Sequence, residues 1–164
     1  MSPAKLKAAI AASVLLILLS AAGSVWQFEQ TLANGQVVTL ELAPVDPRSI
    51  MQGDYMALSF ALDRQLPDDA ANYRYAWLTA NAQGVASLHS VSEQLPQTDN
   101  IIAMRLRPAR FGYTLGPNGF FFTEGEAKRF EAARYGQFRV DKQGKALLTA
   151  LLDEQLQLLG ENER

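Results

Sequence analysis

From Ala8 to Phe28 the chain runs 21 residues without a charged side chain. No other feature limits its fold as much. At about 1.5 Å per residue the run makes roughly 31 Å of helix, close to the ~30 Å hydrocarbon core of a bilayer. Nothing along it is polar enough to form a water-facing side, which argues against a core helix of a soluble protein. Lys5 and Lys7 precede the run, and the first charge after it is Glu29. That asymmetry predicts a cytoplasmic N-terminus and an exported remainder. Trp26 and Phe28 fall where an interfacial aromatic belt would sit. The rival reading is a cleaved signal peptide, because Ser20-Ala21-Ala22 offers small residues for cleavage, although the run exceeds the ~7–15 residues of a usual signal core. Both readings export the rest of the chain. The expected organisation is a cytoplasmic tip and anchor (or signal peptide) over residues 1–28, in contact with lipid through residues 8–28. An exported domain covers residues 29–164.

The chain holds no cysteine. That removes a disulfide framework, a thiol nucleophile, an iron–sulfur site and a lipidated cysteine. Setting Lys5 and Lys7 aside leaves 13 basic against 17 acidic residues. An exported part of net charge about −4 lacks the basic surplus of a nucleic-acid binder, so no nucleic-acid partner is expected.

Past the apolar run, period-two alternation dominates. In Gln36–Leu42, Val38, Leu40 and Leu42 share one face and Val37, Thr39 and Glu41 the other, which predicts a half-buried strand. Pro44 and Pro47 stop it. A second strand is expected over Tyr55–Leu62, with Met56, Leu58, Phe60 and Leu62 inward. A third covers Tyr73–Ala80, and Tyr73, Tyr75 and Trp77 form an aromatic stripe that reads as core. Asn81-Ala82-Gln83-Gly84 is a hairpin turn into a return strand over Val85–Ser92. Ile101–Arg107 alternates again, Ile102, Met104 and Leu106 inward, and Pro108 ends it. Phe120–Phe122 is a short strand. Thr123 and Glu126 then have the spacing of a capping box. Ala127, Phe130 and Ala133 follow at helical spacing, and Gly136 closes a helix from about Glu124 to Tyr135. Phe138 and Val140 begin another strand. The tail 145–159 fits a helical face through Leu147, Leu148, Leu151, Leu152 and Leu158, and fits equally two strands around Asp153-Glu154. The fold class is mainly β (α+β): a transmembrane helix, then a mostly antiparallel β domain, barrel- or sandwich-like, with one packed helix near 124–135.

Gly53-Asp54-Tyr55 stands directly against the second strand. One reading is structural: Gly53 takes a positive-φ turn position, Asp54 accepts a backbone hydrogen bond, and Tyr55 starts the strand. A second sees Ser49 ahead of Gly53-Asp54 as a serine nucleophile awaiting a lysine base. The strand that would supply that base carries Arg74 instead, which stays protonated. The full stretch "PVDPRSIMQGDYMALSF" closely resembles the signature of the bacterial GDYXXLXY family. Gly53, Asp54, Tyr55 and Leu58 match; the last position is Phe60 where the name has tyrosine, so the phenol hydroxyl is missing. Asp46-Pro47-Arg48 and "FFFTEGEAKRFEAARYG" also look like family features. The resemblance covers nearly the whole chain. It implies an exported or membrane-anchored protein of the bacterial inner membrane with an extracytoplasmic domain. It implies no established activity, and it suggests a multispanning membrane protein as partner. For the tail it favours strands about a turn.

Candidates for chemistry are few. His89 is the single histidine, so no zinc site and no other metal or cofactor is expected. Asp46, Asp54, Glu124 and Glu126 lie near element ends, where two carboxylates serve acid–base work or hold a hard cation. Each also has a turn or capping role. Arg48 is placed to pair with Asp54 or Glu124. The expected function is a non-catalytic, membrane-tethered interaction domain or accessory subunit. The alternatives are an envelope small-ligand site at Asp46, Arg48, Gly53, Asp54, Tyr55 and Glu124, or a carboxylate-based hydrolase.

Overall fold

Ser2 and Pro3 open the first helix. The Ser2 hydroxyl accepts the Lys5 N–H, and Pro3 occupies the first helical position, where a missing N–H costs nothing. In the computed structural model, which describes residues 2–43, 51–52, 55–98, 100–109, 112–123 and 125–162, this helix, α1, runs from Pro3 to Asn34. It therefore outlasts the uncharged run. The Ser13, Ser24 and Thr31 hydroxyls each return to the carbonyl four residues earlier, so these polar groups are satisfied within the helix. None of its most apolar window is buried by the rest of the chain. By length and composition it can cross a membrane.

α1 passes into β1 (Gln36–Glu41) through Gly35 alone. A Cβ at Gly35 would collide with the Thr31 carbonyl oxygen and lie 3.1 Å from the Val140 amide nitrogen. Glycine is needed there for close approach, not for an unusual φ.

The remaining strands are β2 (Met51–Gln52), β3 (Tyr55–Ala57), β4 (Tyr75–Ala80), β5 (Ala86–Ser92), β6 (Ile102–Arg105), β7 (Arg107–Ala109), β8 (Gly112–Thr114), β9 (Gly119–Phe121), β10 (Tyr135–Val140), β11 (Ala146–Leu152) and β12 (Leu158–Glu161). They form antiparallel sheets in the orders β1-β10-β11-β12, β2-β3-β9, β5-β4-β6 and β7-β8. These small sheets wrap one core and close no barrel. Val38, Leu40, Met56, Phe60, Leu78, Met104, Phe120, Phe130, Phe138 and Leu151 meet in it.

The alternation read from the sequence places most of these residues correctly, and the tail is two strands, as the family resemblance favoured. Several local expectations change. Thr39 is buried because β1 meets Val85 in a parallel bridge, where the Thr39 N–H donates to the Gly84 carbonyl. The strand from Tyr55 stops at Ala57. Leu58, Phe60 and Leu62 are still buried, but Phe60 pairs only with Leu42, and Ala61–Gln65 coils into a 3-10 helix. In β4 the main core takes Ala76 and Leu78. Tyr75 is buried apart from it, against Gly144, while Tyr73 and Trp77 are half-buried. Pro108 does not end a strand but lies in the two-stranded β7–β8 edge, where a missing N–H is tolerated.

The helix expected over 124–135 shrinks to one turn, α2 (Ala127–Phe130). Phe130 and Ala133 do face the core, where Phe130 meets Phe120 and Phe122 with ring centroids 5.1 Å apart in both pairs. The capping box does not close: the Glu126 carboxylate turns to Arg129 at 3.4 Å instead of the backbone. Gly136 is not a helix stop. It lies inside β10, where a Cβ would sit 3.1 Å from Leu148 and 3.3 Å from the Phe138 ring.

Candidate functional site

The signature stretch builds a short hairpin. Met51 pairs with Met56 and Gln52 with Tyr55, so only Gly53 and Asp54 join β2 to β3. Gly53 and Asp54 lie outside the described residues, as do Asp46, Arg48, Ser49 and Glu124 and every pairing expected between them. Of the predicted site, the structure places the Tyr55 backbone, opposite Phe121 in β9. Glu126 pairs with Arg129, and both His89 and Arg74 are exposed. Among the described residues no group of three or more His, Cys, Asp or Glu side chains is placed to hold a metal.

The stretch is described fully from Met56 onward, and there it leads into a cavity. The Leu58 N–H donates to the Asn118 carbonyl and the Ala43 N–H to the Ser59 carbonyl, which clamps the segment between two loops. Phe60, fully buried, meets Phe138 edge-on with centroids 5.6 Å apart. A Cβ on Gly116 would lie 2.6 Å from the Phe60 ring, so the loop after β8 closes on that ring only because residue 116 is glycine.

The next turn brings in Asp63, which sequence reasoning passed over. Its Oδ2 accepts the Thr114 hydroxyl at 2.8 Å and its Oδ1 the Leu115 N–H at 3.0 Å. Burial holds the Asp63 carboxyl above the ordinary carboxylate value; the bonds from Thr114 and Leu115, and a backbone bond at Phe60, pull it the other way. The only trace of this role in the sequence is an acid interrupting an apolar alternation just after Leu62, a pattern shared by any strand end.

A cavity of about 680 Å³ opens beside this strut, lined by Leu58, Phe60, Asp63, Arg64, Arg107 and Tyr113 among others. Arg107 stands directly opposite Thr114 in the β7–β8 pair, so both side chains share one face. Among the described residues neither Arg64 nor Arg107 forms an ion pair. The arrangement is a hydrogen-bonded carboxylate in the wall and two guanidiniums at the rim. It suits recognition of a polar or anionic group. It offers no activated nucleophile.

The pattern of the GDYXXLXY protein family matches residues 17–151, most of the chain. The chain belongs to that family. The matched span takes in the second half of α1, the motif hairpin, the Asp63 strut and β11 up to Leu151, so the family pattern includes the helix as well as the sheets. No curated protein and no solved structure matches the chain.

Proposed function

We propose that this GDYXXLXY protein is a single-pass, membrane-tethered extracytoplasmic domain, serving as a non-catalytic accessory subunit of a multispanning membrane protein of the bacterial inner membrane. The observation that carries the reading is α1. Its apolar window is wholly uncovered by the rest of the chain, and it runs without a linker into β1. An apolar helix of this length needs lipid or other apolar helices around it. The family resemblance supports a multispanning partner. Lys5 and Lys7 orient the N-terminus to the cytoplasm.

Two measurements test this. A periplasm-dependent reporter fused after Arg164 is active, and a cytoplasm-dependent one silent; the reverse overturns the topology. Detergent purification of the full chain, followed by mass spectrometry, recovers a multispanning protein that a chain with an unrelated transmembrane helix and the same domain binds less well. Recovery of no membrane protein by either chain overturns the accessory role.

A second reading is a small-ligand domain of the envelope, favoured by the cavity at Phe60 and Asp63. Under it, a small dicarboxylate or phosphate ester raises the melting temperature of the full chain in detergent, and Arg64→Ala with Arg107→Ala abolishes the rise.

A further inference from the structure

The junction between α1 and the sheet has a fixed and very short reach. The uncharged run ends at Phe28, and six residues, Glu29 to Asn34, remain before Gly35. At 1.5 Å per residue they span about 9 Å. A headgroup layer is about 5–7 Å deep on each side of the hydrocarbon core. The domain therefore begins at the outer edge of the headgroups, and anything beside the last two turns of α1 lies within them.

Beside those turns stands the outer face of the β1-β10-β11-β12 sheet. The Arg139 guanidinium donates to the Gly35 carbonyl at 3.2 Å, and the Lys145 Nζ sits 3.7 Å from the centre of the Phe28 ring. These contacts hold the sheet alongside the helix and not above it. Between them runs a groove of about 690 Å³, with Phe28 and Leu32 on the helix side and Leu147, Leu156 and Leu158 on the sheet side. Leu158 is 56% exposed, at the start of the edge strand β12. A leucine so exposed is ordinary on its own. Here it belongs, with Phe28, Leu32 and Leu147, to the apolar part of a mixed lining that also holds Gln137, Arg139, Thr149 and Asn162, beside the membrane helix.

We infer that this sheet face is seated on the bilayer, with phospholipid occupying the groove and Leu156 and Leu158 contacting it at headgroup depth. The inference rests on the reading of α1 as a membrane anchor. Glu29, Glu161 and Arg139 also line the groove, so its charges are of both signs, and contact of the exposed leucines with lipid, not attraction to anionic headgroups, is the binding force.

The absence of cysteine makes the test clean, because one introduced cysteine is a unique label site. Full-length Leu158→Cys, Ile17→Cys and Ser59→Cys are spin-labelled and reconstituted in phosphatidylcholine vesicles without any partner. Collisions with oxygen, which partitions into lipid, are compared with collisions with a water-soluble nickel chelate. The label at position 17 reports the span. Ser59, exposed and bonded through its carbonyl to Ala43 beyond the distal end of β1, reports the far side. The expected oxygen-to-nickel ratio for the label at position 158 is several-fold above that at position 59 and below that at position 17. Leu156→Cys reads the same groove if the Leu158 variant misfolds. A label in lipid at position 17, with those at 158 and 156 indistinguishable from the one at 59, overturns the seat but leaves the anchor standing. A water-exposed label at position 17 overturns both.

Discussion

The C-terminal hairpins and the signature arm are both antiparallel, but they are held in different ways. Each hairpin carries its own closure. Asp141 Oδ1 accepts the N–H groups of Gln143 and Lys145, and Asp153 Oδ1 those of Gln155 and Gln157. The β4–β5 turn repeats the pattern with Asn81, Gln83 and Val85. The fourth turn residue has positive φ each time, at Gly84, Gly144 and Leu156. The described residues of the signature arm are joined differently. Two residue pairs join β2 to β3, three join β3 to β9, and a single bridge ties Phe60 to Leu42. Its order comes from side chains reaching residues far away in sequence. Turn chemistry thus stabilises one region locally, and core packing stabilises the other at long range. Damage to the arm's packing should cost far more than damage to a turn.

The largest effect is expected at Phe60. Phe60→Ala removes a fully buried ring that joins the arm to Phe138, and should cost about 3–5 kcal/mol. Thermal melts of the full chain in detergent measure it. A loss below about 1 kcal/mol would mean that the arm is not held by its core contacts, and the comparison collapses.

Gly116→Ala comes next. The added methyl meets the Phe60 ring at 2.6 Å and should cost about 1–3 kcal/mol by overpacking. Gly84→Ala is the control. Nothing lies within 4 Å of its Cβ, so its cost is only that of a positive φ. Equal losses at the two sites would blur the distinction.

Asp63 sharpens the comparison through pH. Its folded pKa is raised above the ordinary 3.8, so the native state keeps the proton to higher pH than the unfolded chain. The sign follows: this contribution is complete below about 3.8 and is lost as pH rises through the folded value. Asp63→Asn removes it. The stability of the parent minus that of the variant should fall across that window and then level off, read from denaturant midpoints at stepped pH. A difference that rises with pH instead would mean that the bonds from Thr114 and Leu115 outweigh burial.

The smallest effect, and the only gain, is expected at Leu156. It adopts φ 60 where the equivalent turns have glycine. Leu156→Gly should stabilise by about 0.5–1 kcal/mol, since relief of the left-handed strain exceeds glycine's entropic cost. The same melts measure it. A clear loss would show that the Leu156 contacts in the groove outweigh its backbone strain.

The sequence by itself determined the apolar helix, the family, and which side of most strands faces inward. These rest on signals carried by neighbouring residues: an unbroken apolar run, a contiguous motif, and a period of two at Val38, Leu40, Met56 and Phe138. Tertiary structure decided the rest. Leu147, Leu148, Leu151 and Leu152 suit a helix or a strand, and pairing with β10 selected the strand. Thr39 reads as outward until Val85 covers it. Residues 131–136 look helical until Tyr135 pairs with Glu41 and Leu152, which draws the chain into the sheet. Asp63 becomes a strut only because Thr114 arrives from 51 residues away. In the last three cases the deciding partner is remote in the chain, and neither periodicity nor propensity encodes which distant backbone or side chain will come to lie alongside.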